Sequence, residues 1–482
     1  MKTKELPFIH LMKTPFKQYA YDVNTNVFIE VGNQTYRYLE LQKEGSTIDN
    51  ASNVDVKKNL DKLCRQGFFS PKRPLKIEHD QTHILEYHLN ENIKQLILQL
   101  TQQCNFRCAY CTYGVKDFQY QREHSSKSMT QEMATRAIDF FHAHSSNQSE
   151  VSIGFYGGEP LLEFELLKKL VNYAEKKIVG KTLLFSITTN GSLLTPEVAK
   201  FMSEHKFTLM ISLDGTPEIH DHSRKFLSTG EGTFATIKRN IDTIKREFPE
   251  WFKSIIFHIV IDPRYPCNNL HALFSEDDTF KHSIILTTLV DDVSSVEKSV
   301  PGNDFIREHN QHLFKAYLAI IGRYPKDKVS RVAKQMLGSV YHRIKTSMAT
   351  SKELSDTMAP SGPCIPGERR LFINVDGDFY PCERVSETSD AMIIGNLQGG
   401  FDLEKANRIL NVGQLTGENC RNCWTIRQCQ ICVRDCDNNG ELSGEVKLSQ
   451  CDRIRARVEG EMRDYLFMKE FSLSIDTILR EE

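Results

Sequence analysis

The chain lacks a long hydrophobic run. Nothing in its 482 residues approaches the roughly 18 to 20 apolar positions that a membrane helix needs. The opening, Met1-Lys-Thr-Lys-Glu-Leu-Pro7, has no apolar core of the signal-peptide kind. Charge excess is missing too: Lys+Arg is 61 against Asp+Glu 63, a net charge of −2. A nucleic-acid protein would show a basic imbalance or patch. These absences set the expectation of a cytoplasmic protein with no membrane and no nucleic-acid partner. What remains is ordinary for a globular chain, 40% hydrophobic and 26% charged. The length exceeds what one core holds, so several domains are expected.

Cysteine is the residue in surplus, with 13 in all. In a long chain without secretory signals, such a number points to metal rather than to disulfides. Cys64 and Cys267 stand apart and read as packing residues. Three cluster in Cys104-Asn-Phe-Arg-Cys108-Ala-Tyr-Cys111, and eight lie between 364 and 451. The first group follows the apolar run Leu96-Ile-Leu-Gln-Leu-Thr101, which reads as a strand. A loop leaving a strand end can wrap three thiolates around one inorganic cluster. Fe–S clusters usually take four cysteines, so three leave one iron open to another ligand.

Organisation follows from periodicity. Tyr19–Val23, Val27–Val31 and Thr35–Leu39 alternate around the turns Asn24–Asn26 and Gly32-Asn33, the pattern of a three-stranded meander. Val56, Leu60, Leu63 and Cys64 recur at helical spacing, with Asp55 as N-cap and Gly67 as stop. Residues 71–90 read as a linker. Six strands are then expected at Lys94–Thr101, Val151–Tyr156, Leu183–Thr189, Thr208–Leu213, Ile255–Ile261 and Ser283–Leu289. Helical patterns alternate with them, including Met133, Ala137, Ile138 and Phe141 behind the N-cap Thr130. Repeated βα units imply a parallel sheet. His220-x-His222 reads as solvated loop rather than as a metal site.

The 104–111 stretch, with Tyr110 before the third cysteine, resembles the signature of radical S-adenosylmethionine (radical SAM) enzymes. That resemblance implies an α/β fold, a partial (β/α)6 TIM-like barrel with its site at the C-terminal strand ends. It also implies a [4Fe–4S] cluster on Cys104, Cys108 and Cys111, whose open iron binds S-adenosylmethionine and yields a 5′-deoxyadenosyl radical. Three strand-end segments match family segments that contact the cofactor. Gly157-Gly158-Glu159-Pro160 corresponds to the ammonium site, with Glu159 supplying negative charge. Thr189-Asn190 and Ser212-Leu-Asp214 correspond to ribose and carboxylate contacts, and Arg224 to an arginine near the carboxylate.

Farther on, Leu371–Val375, Asp376-Gly377 and Asp378–Cys382 form a hairpin signal. With Cys364 before it and Cys420, Cys423, Cys429, Cys432, Cys436 and Cys451 after, the pattern resembles the cysteine-rich SPASM extension. By that resemblance two auxiliary [4Fe–4S] clusters are expected, one on Cys420, Cys423, Cys429 and Cys451, the other on Cys364, Cys382 and Cys432. Cys436 is either a fourth ligand of the second cluster or a free thiol. On a helix, Cys429, Cys432 and Cys436 would share one face. A zinc ribbon is the competing reading of the same cysteines. Glu383, directly after Cys382, stands where sulfatase-maturing relatives hold a catalytic base.

The expected layout is a winged-helix-like leader-recognition element over 1–88, a radical SAM domain over 89–300, a helical connector over 301–360 and a SPASM domain with a C-terminal helix over 361–482. The function implied is thioether formation in a ribosomally made precursor peptide that carries a leader, of the sactipeptide or ranthipeptide kind. A flavodoxin or ferredoxin would donate electrons. Formylglycine formation on sulfatases or a carbon–carbon crosslink uses the same scaffold and is the alternative; a zinc-stabilised binding protein is a distant one.

Overall fold

The computed structural model describes residues 6–45, 53–113, 122, 124–290, 299–348, 353–360, 364–471 and 478. At its centre lies a ten-stranded sheet. From one edge inward run Ile284–Leu289, Ile256–Ile261, Thr208–Ser212, Thr182–Thr189, Glu150–Gly157 and Gln95–Thr101, each parallel to its neighbour. Parallel strands need crossovers, and the helices Gln131–Ala143, Phe164–Lys177, Pro196–Glu204, Phe234–Glu247 and Asn268–Glu276 supply them. The expected N-cap forms, with Thr130 Oγ1 accepting from Met133 N at 3.1 Å.

Alternation decides what each face of the sheet meets. Val151, Ile153, Phe155, Phe185, Ile187, Leu209, Ile211, Phe257 and Ile259 are buried in the main core. The intervening positions are more polar: Gln99, Tyr156, Thr188, Ser212 and His258 occupy the other face. One side of the sheet is thus packed apolar core, and the other can hold polar chemistry.

The expected hairpin forms, but it extends the central sheet. Leu371–Ile373 lies parallel beside Gln95–Thr101, and Asp378–Tyr380 returns antiparallel to it. Gly377, at φ +87°, makes the turn that a side chain would strain. Two short strands, Gly395–Asn396 and Gly400–Phe401, complete that edge. The return strand, separated from Gln95–Thr101 by Leu371–Ile373, then leads into Cys382.

Several expectations need correction. Thr35–Leu39 is not a strand; it lies inside the helix Asn33–Lys43, where Tyr36 and Leu39 are buried one turn apart. The third strand of the meander is Ile9–Lys13, giving the order Ile9–Lys13, Gln18–Asp22, Val27–Glu30. Asp55 does not cap: the helix Val54–Arg65 has Asn53 at its N-cap and Asp55 in its first turn. Cys64 is exposed, so it is not a packing residue, whereas Cys267 is buried. The 71–90 stretch is more than a linker, since Lys76–Ile77 pairs with Thr357–Met358 and Leu85–Glu91 is helical. Helices Asn303–Ile320 and Arg331–Met348 occupy the region expected to connect. Among the described residues no helix is long and apolar enough to cross a membrane.

The N-terminal sheet has its own small core of Ala20, Val31, Tyr36, Leu39, Val56 and Leu60. It docks on the cysteine-rich C-terminal part. Arg427 Nε donates to Val23 O at 2.7 Å and Nη2 to Asn24 O at 2.9 Å. Gln428 Nε2 donates to Asn26 Oδ1 at 3.0 Å. The His10 ring stacks on Trp424 at 3.7 Å between centroids. Arg427 and Gln428 sit between Cys423 and Cys429, so the docking surface adjoins a cysteine cluster.

Candidate functional site

Three strand ends converge on the 104–111 loop. Gly158 N donates to Thr101 O at 2.9 Å and Glu159 N to Gln103 O at 2.8 Å, tying the Gly157–Pro160 segment to the residues before Cys104. A Cβ on Gly158 would overlap the carbonyl of Gln103, so only glycine permits that approach. From the next strand, Asn190 Nδ2 donates to Asn105 Oδ1 at 2.8 Å.

Glu159 is fully buried and serves as a clamp. Its Oε1 accepts from Leu161 N at 3.0 Å and Thr189 Oγ1 at 2.7 Å, and its Oε2 from Asn190 N at 2.7 Å. Burial lifts the carboxyl to about 7, against the three hydrogen bonds that favour its ionised form. Both oxygens are thus directed at the chain's own donors, joining two strand ends.

Asp214 and Arg224 form the second anchor. Arg224 Nε lies 2.8 Å from Asp214 Oδ2 and Nη2 lies 3.2 Å from Oδ1, a bidentate pair with both residues buried. Tyr110 Oη donates to the same carboxylate, and the guanidinium lies over the Tyr110 ring. Burial alone would raise the Asp214 carboxyl, but Arg224 outweighs it and holds the group below its usual range. The strand Arg224–Phe226 also pairs with Phe106–Cys108, placing Arg224 opposite Cys108. His220 corrects an expectation here. It is fully buried on the helix Pro217–Ser223, with Nδ1 accepting from Asp214 N at 3.3 Å and Nε2 3.0 Å from Thr233 Oγ1. Burial keeps it neutral, down to about 3. His222 instead meets Tyr265 Oη at 2.6 Å.

The thiols face this constellation. Burial pushes Cys104 and Cys108 up to about 12 and raises Cys111. Cys104 Sγ accepts from Phe106 N and Cys111 Sγ from Tyr113 N, each at 3.4 Å. Backbone amides also donate to Cys382, Cys429 and Cys432 from Arg384, Ile431 and Arg434, two residues onward in each case. The N–H bonds favour the thiolate that iron requires, and iron would displace the protons that burial otherwise holds on these thiols, so the donor set fits a cluster.

In the C-terminal part, Cys420, Cys423, Cys429 and Cys451 line one pocket with Pro360, Ile426 and Lys447. It encloses about 400 Å³ of empty space, part of it open to solvent. Among the described residues no three His, Cys, Asp or Glu side chains meet at the spacing of a single metal ion. The pocket's four cysteines are those expected together. Cys432 lies near enough to Cys382 to act on its thiol, and Cys364 near enough to act on that of Cys432. Cys436 is fully buried, its Sγ 3.5 Å from Cys432 O. The helical face expected for Cys429, Cys432 and Cys436 does not form, because regular structure begins only at Val433.

Glu383 pairs with Arg370, and with Arg384 at 3.7 Å, leaving its Oε2 buried without a hydrogen-bond partner. Close by is a group that carried no motif. Arg122, 1% exposed, lies 2.7 Å from Glu387, whose carboxylate accepts from Gln99 Nε2 at 2.8 Å. Lone polar residues at 99, 122 and 387 give no local signal; only the fold brings them together. Lys447 gave no signal for the same reason, since its partners Thr416 and Cys420 lie far back in the sequence.

The model of the Radical SAM superfamily matches residues 98–264. A cysteine-type anaerobic sulfatase-maturating enzyme of Clostridium perfringens is 24% identical over 367 residues, covering 72% of this chain and 90% of that enzyme. The radical SAM cyclopropyl synthase TigE of Paramaledivibacter caminithermalis is 25% identical over 237 residues, 45% of this chain and 48% of its own. Among solved structures, native anSMEcpe with bound AdoMet aligns with a TM-score of 0.56 at 23% identity, over 78% of this chain and 98% of that one.

The clamp yields a test. Glu159→Gln would set an amide NH2 either against Asn190 N or against the Leu161 and Thr189 donors, so it should cost about 1–3 kcal/mol of stability. Thermal unfolding at neutral pH should show a lower Tm than the parent protein.

Proposed function

Starting from the α/β radical SAM fold and the superfamily match over 98–264, we propose that this protein is a peptide maturase that oxidises a carbon in a polypeptide substrate. The observation that carries the reading is the arrangement of Cys104, Cys108 and Cys111 beside Tyr110, Asp214 and Arg224, at the end of a parallel sheet. In this reading Cys104, Cys108 and Cys111 hold a [4Fe–4S] cluster, and a partial barrel surrounds the site. With S-adenosylmethionine bound, that group supplies a hydrogen-abstracting radical. The chain's own part is to orient and to exclude water. Gly157 and Gly158 let backbone approach the cofactor's amino group, Ser212, Thr189 and Asn190 border its ribose, and Arg224 sets the charge near its carboxylate. Residues 361–482 are a SPASM domain, with Cys420, Cys423, Cys429 and Cys451 holding one auxiliary cluster and Cys364, Cys382 and Cys432 the other. Glu383, with its unpartnered Oε2, is positioned to take the substrate's proton.

Two outcomes are open to such a site. The sulfatase-maturating relatives favour formylglycine-type oxidation of a cysteine or serine, and the comparisons support it better than thioether formation. The N-terminal module favours a ribosomal precursor peptide with a leader, and with it thioether formation. Antiparallel ladders alternate bonded and unbonded pairs. Val31 N donates to Gln18 O at 2.9 Å, and Glu30 pairs with Tyr19. The backbone groups of Phe28 and Glu30 therefore point away from the sheet, toward where a leader strand would add. A flavodoxin or ferredoxin completes the proposal as electron donor.

Anaerobic turnover with a cysteine-rich precursor peptide separates the outcomes by mass. A thioether product loses two hydrogens and one alkylatable thiol. A formylglycine product from cysteine loses sulfur and gains a carbonyl that hydrazides capture. An unaltered peptide alongside normal cofactor cleavage would contradict both. Glu30→Pro removes the outward amide from an edge strand that tolerates proline. It should weaken precursor binding about tenfold in a fluorescence titration and leave peptide-free cofactor cleavage unchanged.

A further inference from the structure

Lys447 is a charge in an unusual place. It lies on the short helix Gly444–Ser449 and is only 2% exposed. Its Nζ donates to Thr416 Oγ1 at 2.6 Å and to Cys420 Sγ at 3.3 Å. Among the described residues it makes no salt bridge with a carboxylate: its bonded neighbours are a hydroxyl and a sulfur. Taking an ammonium out of water is expensive unless an opposite charge meets it. A hydroxyl and a neutral thiol provide dipoles but no net charge. The missing counter-charge therefore has to come from the pocket that Lys447 lines with Cys420, Cys423, Cys429 and Cys451.

The neighbouring cation differs in kind. Arg455 reaches Cys423 Sγ at 3.9 Å but is paired with Asp452 at 2.7 Å, and its side chain is 39% exposed. At the other cysteine group the carboxylates are already paired, Glu383 with Arg370 and Arg384 and Asp435 with Arg434. Glu383 follows Cys382, and Asp435 Oδ2 accepts from Cys432 N at 3.2 Å. The 420–451 group thus borders a buried cation with no carboxylate partner among the described residues, whereas the charges at the 382–432 group pair with one another.

We propose that Lys447 is the internal counterion of an anionic iron–sulfur cluster held by Cys420, Cys423, Cys429 and Cys451, and that it raises that cluster's reduction potential. The proposal rests on the reading of these four cysteines as cluster ligands. Reduction adds negative charge, and a fixed cation in a dry site stabilises the reduced form most. Thr416 holds Nζ in place, because its Oγ1 accepts from the ammonium while lying 3.2 Å from the same sulfur. Lys447 is a positioning and tuning residue; it contacts a ligand sulfur and takes no part in bond breaking.

The test uses the full chain, reconstituted anaerobically, with Cys104, Cys108 and Cys111 replaced by alanine so that their cluster is silent. Lys447→Met removes the charge at similar volume, and Lys447→Gln removes it while keeping a donor. Redox titration followed by electron paramagnetic resonance should show iron content unchanged in both. It should also show a lower potential, with at least a tenfold change in the oxidised-to-reduced ratio at fixed potential, about 59 mV for a one-electron couple. An unchanged potential with iron retained overturns the proposal. So does loss of the cluster in both variants, which would make the lysine a structural prop. Cys423→Ala in the same background separates the two layers: if it releases no iron, the cluster reading itself fails whatever Lys447 does.

Discussion

Arg224 is the residue on which the rest of the site depends. Its backbone pairs across to Cys108, its guanidinium grips Asp214, and its face covers Tyr110. One residue thereby fixes the cysteine loop to the end of the Thr208–Ser212 strand. The pair is buried on both sides, where removing one partner strands a charge in a dry place. His220 and Val260 complete the support, since the first accepts from Asp214 N and the second donates its amide to Asp214 Oδ1 at 3.2 Å. On the opposite flank Glu159 does the same work with hydrogen bonds alone. The thiols are held between a clamp that is charged and a clamp that burial tends to neutralise.

That architecture explains why the C-terminal part cannot be a loose appendage. Leu371–Ile373 hydrogen-bonds directly to Gln95–Thr101, the strand whose end launches Cys104. The segment after the hairpin brings Glu383 close to Tyr156 and Glu387 to Arg122. The N-terminal module closes the circuit from behind, through Arg427 and Gln428 between two cysteines of the 420–451 group. A peptide held at the edge of Val27–Glu30 would thus be held by a unit hydrogen-bonded to the segment between Cys423 and Cys429.

The sequence made some of this legible and hid the rest for physical reasons. The six parallel strands are near-continuous apolar runs, and their expected spans differ from the observed ones by a residue or two at the ends, as at Lys94 against Gln95. The four thiols that line one pocket are those that the resemblance to the cysteine-rich extension implied, a grouping that spacing alone does not give for Cys451. The Ile9–Lys13 strand escaped because it lies between Pro7 and Pro15, and because Thr35–Leu39 offered a cleaner alternation. That second stretch is helical since Glu40, Leu41, Gln42 and Lys43 prolong it with good helix formers. His220 looked solvated because its neighbours are polar; its burial comes from Thr233 and Phe234, which fold over it. Lys447, Arg122 and Glu387 are invisible in one dimension, because each acquires its meaning from a partner far away in sequence.

The central claim is that this chain holds iron–sulfur clusters on two separate cysteine groups, one of which activates S-adenosylmethionine. The most direct measurement is the metal content of anaerobically purified protein, with and without alanine at Cys104, Cys108 and Cys111. The account predicts iron and sulfide in both samples and about a third less iron in the variant, since the parent would hold three four-iron clusters. Cleavage of S-adenosylmethionine should occur in the parent alone. Zinc without iron in the variant, or cofactor cleavage that survives the three substitutions, would contradict it.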